Sequence, residues 1–95
     1  MQEEKLLKII NHYGKSHQVR KLLEEVGELI ETIMNEDKEN MVQEISDCMV
    51  LLEQFKLYYG IPSEEITNIF WSKVDRQLDR IEKGECVNGN YKKHR

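Results

Sequence analysis

The chain has 95 residues, enough for one small domain, and 34% of them are charged at a mean hydropathy of −0.68. No apolar run approaches the ~18–20 residues of a membrane span and the N-terminus lacks a signal-peptide pattern, so a soluble, cytoplasmic protein is expected. The formal charge of −4 argues against nucleic-acid binding, and two cysteines, Cys48 and Cys86, are too few for a disulfide scaffold and lack metal-site spacing.

Glycines punctuate the chain. Gly14, Gly60 and Gly84 each follow a helix-like stretch, where a C-terminal cap places glycine. Pro62 follows Gly60, and Ser63 with Glu64 and Glu65 reads as an N-cap and an acidic first turn. Helices are expected at roughly 2–12, 16–35, 38–59 and 63–83, and no period-two run predicts a sheet. The expected fold class is all-α, an antiparallel bundle of about four helices.

The helix at 16–35 carries a stripe of Val19, Leu22, Leu23, Val26, Leu29, Ile30 and Ile33, within a sector of about 120°. The helix at 38–59 is apolar on two sides: Met41, Val42, Ile45, Cys48, Met49, Leu52, Phe55 and Tyr59 on one, Val50 and Leu57 on the other. Two apolar sides call for cover on two sides, so completion by a second subunit is expected. The last helix carries Ile66, Ile69, Phe70, Val74, Leu78 and Ile81, with Trp71 at the edge. Residues 1–84 make the helical domain. Residues 85–95 carry Lys92, Lys93 and Arg95 against Glu85 and are expected to form a flexible basic tail.

Acidic pairs three residues apart are common here: Glu25/Glu28, Glu28/Glu31, Glu36/Glu39, Glu44/Asp47, Asp79/Glu82 and Glu82/Glu85. Two of them stand out. Glu25 and Asp47 are equidistant from Glu36, and so are Glu28 and Glu44. In an antiparallel hairpin turning at residues 35–40, such residues lie level. Glu25 and Glu44 also sit at the shoulder of their apolar stripes. Four carboxylates then converge beside the core, an arrangement that repels itself unless a cation joins it. All-oxygen donors favour Mg²⁺, Mn²⁺ or Ca²⁺ over zinc. The alternative is a solvated acidic shoulder paired with lysines such as Lys21. Gly27, inside the helix at a cost of about 1 kcal/mol relative to alanine, marks either a close helix approach or an exposed face that tolerates it.

The pattern E-E-x-x-E (Glu24, Glu25, Glu28) followed by E-x-x-D (Glu44, Asp47) resembles the signature of the MazG-like, all-α nucleoside triphosphate pyrophosphohydrolases. HYGKSHQVRKLLEEVGELIE resembles the family's first motif helix with its lead-in, ISDCMVLLEQFKLYYGI the second, and WSKVDRQLDRIEKGE the C-terminal helix of short, phage-type members. The resemblance spans about residues 5–84. It implies Mg²⁺-dependent hydrolysis of a nucleoside triphosphate to monophosphate and pyrophosphate, Mn²⁺ being a possible substitute. It implies Glu25, Glu28, Glu44 and Asp47 as metal ligands and Glu24 as the residue that orients or deprotonates the attacking water. Lys73 matches a phosphate-binding lysine, with Gln77 where the family often has asparagine. It also implies a homodimer or homotetramer.

Gln18 lies seven residues before Glu25 on the same helix face and is a candidate base contact, with His17 beside it. Lys21, Arg76 and Arg80 are further candidates for phosphate. Two other readings stay open: a non-catalytic helical interaction module, and a related pyrophosphohydrolase acting on phosphoribosyl-ATP.

Overall fold

The computed structural model describes residues 2–84, 86–87 and 90–91. Four helices follow in order: α1 (Gln2–Tyr13), α2 (Lys15–Met34), α3 (Lys38–Tyr58) and α4 (Ser63–Glu82). Their bounds differ from the sequence expectation by a residue at most ends, because the caps that end them are local. α1, α2 and α3 form one compact unit, and α4 belongs to a second.

Each junction has its own backbone chemistry. Gly14, at φ 89°, donates its N–H to the Ile10 carbonyl and accepts from the Gln18 N–H, ending α1 and starting α2 with one residue. The α2 end is a Schellman arrangement: Glu36 N–H meets the Ile33 carbonyl and Asp37 N–H the Thr32 carbonyl. Its left-handed position is filled by Glu36, at φ 52°, where glycine is usual. Asp37 then caps α3 by accepting from the Asn40 N–H at 3.3 Å. Gly60 closes α3 the same way, with Ile61 N–H on the Lys56 carbonyl. α4 starts at Ser63 with Pro62 as its N-cap residue, so Ser63 is the first helical residue rather than the N-cap.

One feature departs from an all-helical reading. Cys86–Val87 and Asn90–Tyr91 pair as a two-residue antiparallel ladder. The sequence between them is Asn-Gly, a dipeptide that favours tight hairpins. The rest of the expected flexible tail, residues 85, 88–89 and 92–95, lies outside the described residues.

Within the first unit, α2 packs along α3, and α1 packs chiefly on α3. Among the described residues, the buried apolar side chains are Ile10, Cys48 and Leu51, joined by Gln18, Glu25 and Gln54. This corrects the expected core. Leu22 and Leu29 are half-buried, but Leu23 is 75% exposed and Val19, Val26, Ile30 and Ile33 are also open to solvent. A seam between two helices is narrower than a 120° stripe, and here it runs along the stripe's polar shoulder. Val42, Ile45, Met49 and Leu52 of α3 are likewise exposed. These residues lie roughly 50–150° round each helix from the seam, centred near 100°. Because the helices are antiparallel, the two rotations point to the same side, giving one continuous apolar face. Glu28 and Asp47 lie round toward the opposite side. A Cβ at Gly27 would meet nothing within 4 Å, so neither α1 nor α3 approaches it closely.

Candidate functional site

The turn at Asn35–Asp37 fixes the register of α2 against α3, and the register assembles the site. Glu25 and Glu28 from α2 and Glu44 from α3 each offer a carboxylate oxygen, all within 4.8 Å of one another. Asp47 is outside that triad and lines the adjoining cleft together with Glu25. The Glu25 side chain is only 8% exposed, and Lys21 Nζ lies 3.2 Å from its Oε2. Lys21 also reaches Glu24 Oε1 at 3.7 Å, and Glu24 itself is exposed.

Crowding acids in a seam perturbs their protonation. The hydrogen bond with Glu25, then burial, then the negative charges of Glu28, Glu25 and Asp47 push the Glu44 carboxyl up to about 7. Glu25 moves the other way, held below the usual carboxylate range by that same bond to Glu44 and by Lys21, against the effect of burial. The two share one proton, which sits on Glu44. When that proton leaves, neither carboxylate can donate. Glu44 Oε1 is buried and has no hydrogen-bond partner among the described residues. The hydrogen bond and charge of Glu25 raise the Lys21 ammonium pKa. Burial, followed by the charges of Glu25, Glu44 and Asp47, raises the Cys48 thiol, which keeps it protonated beside the acids rather than available as a thiolate ligand.

Two open clefts adjoin the acids. One, of about 360 Å³, is bounded by Glu25 and Asp47, by Gln18 and Gln54, and by apolar Val50 and Leu51. The other, of about 520 Å³, is bounded by Tyr13, His17, Arg20 and Glu24. Gln18 and Lys21 border both. Tyr13 stacks on His17, with ring centroids 4.8 Å apart and an interplanar angle of 17°.

The structure thus brings together Glu25, Glu28 and Glu44, with Asp47, Gln18 and Lys21 alongside. Lys73 and Gln77 are exposed on α4, in the second unit, where they share a face with Arg76 and Arg80. The sequence reading missed Tyr13 and Gln54. Nothing singled out Tyr13, but Gln54 was findable: like the acid pairs, Gln18 and Gln54 are equidistant from Glu36.

The donor set is oxygen only and half enclosed, with a buried carboxylate oxygen that lacks a donor. Such a set suits a hard divalent cation. No helix among the described residues is long and apolar enough to cross a membrane. No curated protein and no solved structure matches the chain significantly. The family model of the MazG nucleotide pyrophosphohydrolase domain matches residues 14–79, a span holding α2, α3 and most of α4 with every acid of the cluster. The chain belongs to the MazG nucleotide pyrophosphohydrolase domain family.

Proposed function

We propose that the chain is a Mg²⁺-dependent nucleoside triphosphate pyrophosphohydrolase that adds water across the bond between the α- and β-phosphates, releasing monophosphate and pyrophosphate. The observation that carries this reading is the Glu25–Glu28–Glu44 cluster with its orphaned, buried Glu44 oxygen. The residues fit a magnesium ion: Glu25, Glu28, Glu44 and Asp47 would hold it, and Mn²⁺ would serve the same donors. When bound, the ion offsets the charge of the triphosphate and polarises the phosphoryl group.

The chain's own residues do the rest. Glu24 is exposed at the edge of the larger cleft and accepts the proton of the attacking water. Lys21, already between Glu24 and Glu25, turns toward the phosphates as they arrive. Gln18 and His17 meet the base. By family resemblance, Lys73 and Gln77 supply phosphate contacts. Positioning and charge stabilisation dominate phosphoryl transfer, so a small helical frame suffices.

The working form is a homo-oligomer, dimer or tetramer, in the cytoplasm. Val19, Leu23, Val26 and Ile30 share one open side with Val42, Ile45, Met49 and Leu52, and a second copy carries the same apolar face.

The test is pyrophosphate release from a panel of nucleoside triphosphates with Mg²⁺ or EDTA. Metal-dependent release with monophosphate as co-product is expected. Silence from a folded chain that binds Mg²⁺ points to phosphoribosyl-ATP. Silence without metal binding overturns the enzyme reading and leaves a helical interaction module.

A further inference from the structure

Two glutamines lie almost wholly buried at the end of the cleft away from the acids. Gln18 is 4% exposed and Gln54 2%. The hairpin register that levels Glu25 with Asp47 also levels Gln18 with Gln54. Seven residues separate Gln18 from Glu25, and seven separate Gln54 from Asp47. That is two turns, ~10 Å along each helix. Acid pair and amide pair border the same cleft, and Ile9, Val50 and Leu51 supply its apolar wall. A ribose and a base span a gap of this order, so phosphates held at the acids place the base at the amides.

The hydrogen bonds decide what the amides can still read. Gln18 Nε2 donates to Gln54 Oε1 at 2.9 Å. The other Gln18 amide atom, Oε1, can only accept. Its 2.7 Å contact with His17 Nδ1 therefore puts the ring proton on Nδ1. Both amide oxygens are engaged. What remains is N–H: one on Gln18 and two on Gln54, with no partner among the described residues. Neither amide nitrogen is a sealed, unpaired atom, so the spare N–H groups reach the open cleft that both residues line. A ligand acceptor there takes the place of water.

We propose that Gln54, acting with Gln18, determines base specificity. The pair donates to a ring carbonyl, and the chain selects nucleoside triphosphates whose base carries one (uracil, thymine, cytosine, guanine or hypoxanthine) over adenine, which has none. This rests on the pyrophosphohydrolase reading above. A purely structural amide pair, locking hairpin register, would instead leave every nucleotide equally affected by its loss.

The experiment compares kcat/KM for dUTP, dGTP and dATP, with Mg²⁺, in the full chain and in Gln54→Met and Gln54→Glu. Thermal shifts of the parent with dUMP and dAMP are measured beside it. The parent is expected to favour dUTP and dGTP over dATP by on the order of a hundredfold. Gln54→Met lowers that ratio about tenfold or more. Gln54→Glu keeps the acceptor for Gln18 but loses the N–H groups, and it lowers the ratio as well. Equal parent rates on dUTP and dATP overturn the inference. So does an unchanged ratio in either folded variant with both rates reduced, the signature of a register lock. If neither variant folds, equal parent shifts with dUMP and dAMP overturn it, and a larger shift with dUMP supports it. No hydrolysis but a larger shift with dUMP removes hydrolysis of these triphosphates and supports base selection. No hydrolysis and no shift overturns both.

Discussion

Loading the carboxylate cluster with Mg²⁺ is expected to expel a proton, and Glu44 sets how much. Its carboxyl titrates at about 7 in the fold, against 4.5 for the unperturbed group. At pH 6 it is then about nine-tenths protonated, and at pH 8 about one-tenth. A cation needs the carboxylate, so each Mg²⁺ bound releases ~0.9 proton at pH 6 and ~0.1 at pH 8, and its apparent affinity rises about tenfold between them. Calorimetric titration with MgCl₂ in two buffers of different ionisation enthalpy reads the proton count directly. Glu44→Gln abolishes the release. The metal-free chain carries the matching stability signature. Glu44, with its folded pKa raised, stabilises the fold at low pH and loses that contribution as pH climbs from about 4.5 through 7. Glu25, with its pKa lowered, contributes above about 4.5 and loses its share as pH falls below that. No heat dependence on buffer at pH 6, or equal release at both pH values, refutes the proton-sharing pair.

Glu24→Gln keeps Mg²⁺-induced thermal stabilisation but loses turnover, whereas Glu28→Ala and Asp47→Ala lose both; full activity in Glu24→Gln removes that residue from the mechanism. Gly27→Ala raises stability by about 1 kcal/mol in chemical denaturation, since the new methyl meets nothing in the chain; a loss instead would place a partner subunit against that face. Glu36→Gly relieves a left-handed backbone and stabilises by about 1 kcal/mol. Leu51→Ala, at a buried apolar position, costs about 2–5 kcal/mol by the same assay.

Local chemistry is legible in the sequence alone. Glycine caps and Pro62 placed the helix ends within a residue or so, because such caps act on their own backbone and need no partner. Equidistance from Glu36 brought Glu25, Glu28 and Glu44 together, because a short turn between antiparallel helices leaves almost no freedom of register. The same arithmetic applied to Gln18 would have reached Gln54, but a lone glutamine carries no charge to draw attention. Azimuth was not legible. The 120° stripe on α2 says which residues want cover, not which edge of the stripe meets α3. Tertiary packing decided that. α1 and α3 bury the polar shoulder, so Gln18, Glu25 and Gln54 are inside while Leu23 and Val42 are outside. Periodicity reports the sum of all the contacts a helix makes, and only packing divides that sum between the seam within a chain and the face left for another.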